Sequence, residues 1–209
     1  MFGLLYHSRV VEQGRRVGGA RERARRAMRD QISQIALDLC LESGYDGTTV
    51  ENICAVAEIS RTTFFRYFTS KDDALLGDVD AIGLELLEAL QDRPDDEPVW
   101  ESLRHALGAL SRGYASEPER SRQLITLMNG APSLAATHLG KHARWTPLLR
   151  PEVSRRLQID PDDHTDPRPH ALIASALSCA DAALAAWSTP GTAATIDELL
   201  ERAMAAVGR

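Results

Sequence analysis

The sequence predicts an all-α protein of about nine helices. Three observations point there. Ala, Leu and Arg are abundant while Val and Ile are sparse, and aromatic residues make up only 5% of the 209 residues, a mix that favours helix over sheet. Apolar residues recur at three- and four-residue spacing through most of the chain, and no stretch reads as a convincing strand. Capping residues, glycines and prolines fall between the periodic stretches, where helices start and stop.

Residues 1–20 read as a flexible basic arm without periodicity, holding Gly14, Gly18 and Gly19. From about Arg21, the spacing of Met28, Ile32, Ile35, Ala36, Leu39 and Cys40 gives a first helix, with Gly44 at its C′ position. Thr48 and Glu51 have capping-box spacing and open a short helix with Val50, Ile53, Cys54 and Ala57 on one face. Ser60 caps a third short helix, Arg61 to Phe68. Ser70 caps a fourth, with Asp72 and Asp73 favourable in its first turn. Its stripe of Leu75, Leu76, Val79, Ile82, Leu86 and Leu90 predicts one continuous helix over 71–90, ended by Arg93-Pro94-Asp95-Asp96-Glu97-Pro98.

Val99, Leu103, Leu107, Leu110 and Tyr114 mark the next helix. Pro118 begins another, which Gly130 and Pro132 break. Residues 133–157 are helical and are expected to kink or split at Pro147 and Pro151. An acidic loop follows, then a helix from Arg168 to Trp187 that stops at Pro190-Gly191. Thr195 and Glu198 have capping-box spacing and open a last helix to about Val207.

The net charge of −6 hides an asymmetry. Residues 1–29 carry eight Arg against Glu12 and Glu22, whereas residues 78–209 carry 13 basic and 20 acidic groups. A basic end on an acidic body suits a segment that meets a polyanion and another that does not. The three cysteines form no C-x-x-C pair, which argues against a disulfide framework or a zinc module. No signal peptide is visible at the N-terminus. The most apolar window, residues 171–187, is 17 residues long with Asp181 inside, which reads as too short and too charged to span a bilayer. The expectation is a cytoplasmic protein without membrane contact.

The segment from Thr48 to Lys71 carries the functional signal. Two short helices joined by a turn at Glu58-Ile59 make a helix-turn-helix. In such a unit the second helix enters the DNA major groove N-terminus first. Arg61, Thr62 and Thr63 stand there; Arg can donate two hydrogen bonds to guanine, and a Thr methyl can pack on a thymine methyl. The amides at the next helix start, with Lys71, offer a phosphate site. Phe64 and Phe68 face inward by spacing.

These residues, Thr48-Thr49-Val50-Glu51-Asn52-Ile53 and Ile59 through Lys71, resemble the signature of the TetR family of transcriptional regulators. The stretch from Ala36 to Tyr45 resembles the family's first helix, so the likeness covers about residues 24–90. It implies a homodimer on palindromic operator DNA and three parts: the arm, a helix-turn-helix domain over 21–70, and a helical ligand-binding and dimerisation domain over 71–209. It assigns base reading to Arg61, Thr62 and Thr63, and phosphate contacts to Thr48 or Thr49, Tyr67 and Lys71. Two positions depart from the pattern. Phe65 stands where a Tyr is usual and lacks its hydroxyl, a loss that Arg66 or Tyr67 would cover. Glu58 stands where Gly is usual, and a positive φ there would cost about 1 kcal/mol. Arg21–Arg29 are read as phosphate or minor-groove contacts.

The same resemblance places the dimer interface on the last two long helices, through small residues such as Ala174, Ser178 and Ala182 and the stripe that includes Leu199 and Ala203. A pocket for an acyl or aromatic effector is expected among the middle helices. Trp100, Leu103, Leu107, Tyr114, Met128, His138 and Trp145 are its candidate lining, and Arg144, Arg150, Arg155 and Arg156 would give it basic edges. Phe64–Phe68 and Leu76–Asp80 also resemble a mycofactocin-type subgroup of the family. The reading is a repressor released by a largely apolar ligand. A regulator governed by a protein partner competes with it. A metal-dependent enzyme built on the i, i+4 pair His138 and His142 comes third. No P-loop, G-x-G-x-x-G, H-E-x-x-H or G-x-S-x-G occurs, so neither an enzyme nor a cofactor is expected.

Overall fold

The computed structural model describes residues 19–208, with the side chain of Glu22 left aside, so the arm expected over 1–20 lies, up to residue 18, outside the described residues. Among the described residues there are ten helices and no strand: α1 Ala20–Ser43, α2 Val50–Val56, α3 Arg61–Tyr67, α4 Lys71–Leu76, α5 Val79–Gln91, α6 Val99–Ala115, α7 Pro118–Gly130, α8 Pro132–Arg156, α9 Arg168–Ser188 and α10 Ile196–Val207. The all-α reading holds.

The extra helix arises at Gly77. The continuous helix expected over 71–90 breaks there, because Gly77 takes φ 76° and ψ −151°, outside the helical region. The opposite correction applies to α8, which runs unbroken through Pro147 and Pro151. Each proline removes one main-chain donor, and the Thr146 hydroxyl donates to the His142 carbonyl at 2.7 Å in the same turn. The box at the start of α2 is shifted by one residue. Thr49, not Thr48, is the N-cap, and its partner is Asn52, not Glu51. The caps at Ser60, Ser70 and Thr195 and the breaks at Gly44 and Pro132 stand as expected.

The chain divides into two compact units. The first holds the chain up to Asp78 together with residues 117–138. In it α1 packs on α2 and α4, and α2 on α3. Its core includes Ile32, Ala36, Ile53, Phe64, Phe68, Leu75, Ile125 and Leu134, each 2% exposed or less. Burying each of the Ile, Leu and Phe side chains stabilises by about 1.5–3 kcal/mol. The second unit holds residues 79–116 and 139 onward. There α6 packs on α5, α9 and α10, and α9 on α10. The Trp145 indole donates to the Val79 carbonyl at 2.8 Å, and a Cβ on Gly83 would come within 2.6 Å of that ring. Only glycine permits this approach of α5 and α8.

The membrane expectation needs a correction. At 21 residues α9 is long and apolar enough to cross a bilayer by length and composition alone. In the second unit it is a core helix instead, burying Ile173, Ala176, Leu177, Cys179, Ala183, Leu184 and Trp187.

Candidate nucleic-acid interface

The turn before α3 is built by a left-handed residue. Glu58 has φ 54°, as its glycine-like position in the turn suggested. The Glu58 amide donates to the Ala55 carbonyl at 3.4 Å and the Ile59 amide to the Cys54 carbonyl at 3.0 Å, a Schellman closure of α2. Ser60 then caps α3, its hydroxyl accepting from the Thr63 amide at 3.0 Å. Phe64 and Phe68, fully buried, fix which face of α3 turns inward.

The outward face carries Arg61, Thr62, Phe65 and Arg66 exposed, with Thr63 and Tyr67 half-buried. Arg61 has partners within the chain. Its guanidinium lies 2.6 Å from the Glu51 carboxylate and 5.8 Å over the Phe65 ring. Arg66 lies 5.2 Å over the Tyr67 ring. At 48% exposure, Phe65 has room for a hydroxyl. Thr49 is exposed at the start of α2, its hydroxyl engaged with Asn52.

Two side chains expected at phosphate are turned inward. Thr48 is buried, and its hydroxyl donates to the Gly44 carbonyl at 3.0 Å. The Lys71 ammonium donates to the Tyr45 carbonyl at 2.5 Å and the Thr48 carbonyl at 2.9 Å, 3.7 Å above the Tyr45 ring. Both tie the α1–α2 turn, one from within and one from α4. The Tyr45 hydroxyl completes the arrangement by donating to Asp72, and burial pushes its pKa up.

Sequence reasoning missed Arg29. The sequence places it among the phosphate or minor-groove contacts of Arg21–Arg29, yet its side chain is 12% exposed. It donates to the Tyr67 carbonyl at the end of α3 and to the Gly77 carbonyl at 3.4 Å. Its Nε lies 3.3 Å from Asp78, and its guanidinium 4.5 Å from the Phe68 ring centre. An interrupted apolar stripe could have flagged an inward arginine; its partners, 38 and 48 residues away, could not be read.

The candidate effector residues divide between the units. Met128 and His138 fall in the first and are buried; Trp100, Leu103, Leu107, Tyr114 and Trp145 fall in the second. Trp100 donates to the Met204 carbonyl at 3.2 Å, so it helps tie α6 to α10. The four arginines expected as basic edges are engaged elsewhere. Arg144 pairs with Asp80, Arg150 donates to the Asp163 carbonyl, and Arg155 grips Glu152 and Asp95. Arg156, 1% exposed, binds Glu152 and the carbonyls of Leu90, Arg93 and Pro94, capping the end of α5.

A second buried charge of this unit lies on Lys141. Its ammonium is 3.1 Å from Asp181 and 5.4 Å from the Trp145 ring. Burial lowers the Lys141 pKa, and the Asp181 carboxylate opposes that shift. Burial, with Asp181 nearby, pushes the Tyr114 hydroxyl up to about 12. His142 Nε2 lies 2.9 Å from the other Asp181 oxygen. No group of three His, Cys, Asp or Glu side chains suited to a metal occurs among the described residues.

On the candidate interface helices none of the predicted dimer residues is buried. Ser178 and Ala182 are exposed, and Ala174, Leu199 and Ala203 are half-buried.

Comparison with known proteins matches this arrangement. Residues 32–76 match the N-terminal domain of bacterial regulatory proteins of the tetR family, and residues 97–209 match the MftR C-terminal domain. The HTH-type transcriptional regulator TcmR of Streptomyces glaucescens is 33% identical over 72% of this chain and 69% of its own. A protein described as the mycofactocin biosynthesis transcriptional regulator MftR of Mycobacterium tuberculosis is 32% identical over 60% of this chain and 63% of its own. Two solved structures share the fold. A TetR-family regulator from Syntrophomonas wolfei superposes with a TM-score of 0.58 at 18% identity, covering 86% of this chain and 92% of that one. The FadR repressor of Thermus thermophilus, solved with lauroyl-CoA, does so with a TM-score of 0.53 at 22% identity, covering 85% and 91%. With a helix-turn-helix that exposes Arg61, Thr62 and Arg66 and a C-terminal half that matches the family along its whole length, this chain belongs to the TetR family of DNA-binding transcriptional regulators.

Proposed function

We propose that the protein is a repressor that binds a palindromic operator as a homodimer and leaves it when a small, largely apolar molecule binds. The observation that carries the DNA half of this reading is α3 itself: a capped helix with Arg61 and Thr62 exposed in its first turn and its other face locked by Phe64 and Phe68. Arg61, Thr62 and Thr63 read bases; Arg66, Tyr67 and the exposed Thr49 contact backbone phosphates. Such a regulator works in the cytoplasm, where the genome is.

The dimer uses the open faces of α9 and α10, through Ala174, Ser178, Ala182, Leu199 and Ala203. Small residues there let two copies approach closely. Ala182→Arg puts a long charged side chain on that face, and sedimentation is expected to show monomers with weakened operator binding.

For the effector, the acyl class comes first, because the FadR relative was solved with lauroyl-CoA. The site is inferred within the second unit, where Tyr114 and Trp145 stand with Lys141 and Asp181 among apolar side chains. A buried ion pair costs desolvation that an apolar replacement avoids, and perturbed groups of this kind cluster at functional sites. The test titrates the full-length protein onto an operator duplex recovered from random DNA, with and without lauroyl-CoA. An inducer that weakens operator binding 100-fold must favour the DNA-free form by about 2.7 kcal/mol, and operator must weaken its binding by the same factor. Equal operator affinity in both titrations would remove lauroyl-CoA as the effector.

A further inference from the structure

Arg29 joins the end of the recognition helix to the break between α4 and α5. The Tyr67 carbonyl lies in the last turn of α3, where main-chain acceptors lack helical partners. A cation there also suits the negative end of the helix dipole. The other acceptors of the same guanidinium, Gly77 O and Asp78, lie where the chain leaves α4 in a left-handed conformation. The start of α4 is anchored separately, by Lys71 on the Tyr45 and Thr48 carbonyls and by the Ser70 cap. A shift of residues 77–78 therefore has a direct route to α3 through the planar fork of Arg29, whose flat face rests 4.5 Å from Phe68. Arg61 stands six residues from Tyr67, about 9 Å along the helix axis at 1.5 Å per residue. Moving the Tyr67 end swings the base-reading end.

We propose that Arg29 and Asp78 form a positioning pair that sets the aim of α3 from the α4–α5 break, so that the conformation of residues 77–78 governs how the recognition helices meet their half-sites. The proposal rests on α3 as the base-reading helix. Arg suits this position because its fork serves several acceptors at once, which the single ammonium of Lys cannot do. Asp78 contributes by holding the guanidinium at the break; neither residue touches DNA.

The experiment uses the full-length protein and the operator selected from random DNA, with duplexes whose half-site spacing is lengthened or shortened by one base pair. Wild type, Asp78→Asn, Arg29→Lys and the double variant are compared for affinity at each spacing, for base preference and for thermal stability. The expected result is a loss of about tenfold at the native spacing for each single variant, as for one charge-assisted hydrogen bond. The preference between spacings flattens, and the double variant is no worse than the single ones. Base preference at the position lost in Arg61→Ala is retained. If Arg29→Lys fails to fold, Asp78→Asn alone decides the matter. A spacing preference equal to wild type in folded Asp78→Asn would overturn the proposal, as would independent losses that multiply in the double variant. If Arg61→Ala keeps full base preference, the assignment of α3 fails and not the clasp.

Discussion

The two units handle charge in opposite ways. In the first, the residues proposed to meet DNA, Arg61, Thr62 and Arg66, are exposed, and the half-buried Arg29 and Lys71 bind main-chain carbonyls behind them. In the second, the arginines are structural, Arg156 in a buried pair with Glu152, and a further buried cation, Lys141, pairs with Asp181 beside His142. The caps that shape α3 are local, whereas the Lys141–Asp181 pair joins side chains 40 residues apart.

The largest effect expected from this contrast is in the second unit. Asp181→Ala leaves the Lys141 ammonium buried without its carboxylate, and urea unfolding should show a loss of about 3–5 kcal/mol. A loss well below that would mean that the pair is not buried as the structure has it. The counterpart in the first unit is Lys71→Met. It removes a charged donor from two carbonyls and should cost about 1.5–3 kcal/mol of stability. Lys71 placed at phosphate would instead show unchanged stability and a shallower salt dependence of DNA binding. Glu58→Gly relieves a left-handed non-glycine residue in the reading turn and should stabilise by about 1 kcal/mol. An unchanged or lowered melting temperature would count against strain at that turn.

The smallest effect concerns Glu97. Paired hydrogen bonds from Arg93, at 2.9 and 2.7 Å, and one from Ser102 hold its carboxyl down to about 2, from an ordinary value near 4.5. A carboxyl with a lowered folded pKa contributes stability above its unfolded value and loses it as pH falls toward the folded one. Stability should therefore decline between about pH 4.5 and 2, with a shallower decline in Glu97→Gln. Identical acid profiles would show that the pair contributes nothing.

The pattern of success follows the same division. Helix boundaries were legible wherever a local rule fixed them, as at Ser60, Ser70, Thr195 and Gly44, because a cap is decided within four residues. The break at Gly77 was hidden, because apolar spacing continues across it from Leu75 to Leu90 and one glycine inside a stripe does not prove a break. The unbroken α8 was hidden for the converse reason: two prolines argue for a kink locally, while packing of Leu149 and Val153 keeps the helix. The exposure of Arg61 and Thr62 in the first turn of α3 was legible from their offset to the Ser60 cap. Lys71 and Arg29 were not, since the acceptors that turn them inward are backbone carbonyls 23 or more residues away. The four arginines expected at the effector site have other partners: Glu152 one turn away for Arg155 and Arg156, and the more distant Asp80 and Asp163 for Arg144 and Arg150.

The most direct measurement is selection of operator sites from random DNA by the full-length protein and by Arg61→Ala. The wild type should recover a two-fold symmetric site with half-sites about 34–36 Å apart or a multiple of that. Arg61→Ala should lose preference at one base position in each half-site and weaken binding by about 1–3 kcal/mol. Recovery of the same site with the same base preference by both proteins would contradict the assignment of α3 as the reading helix.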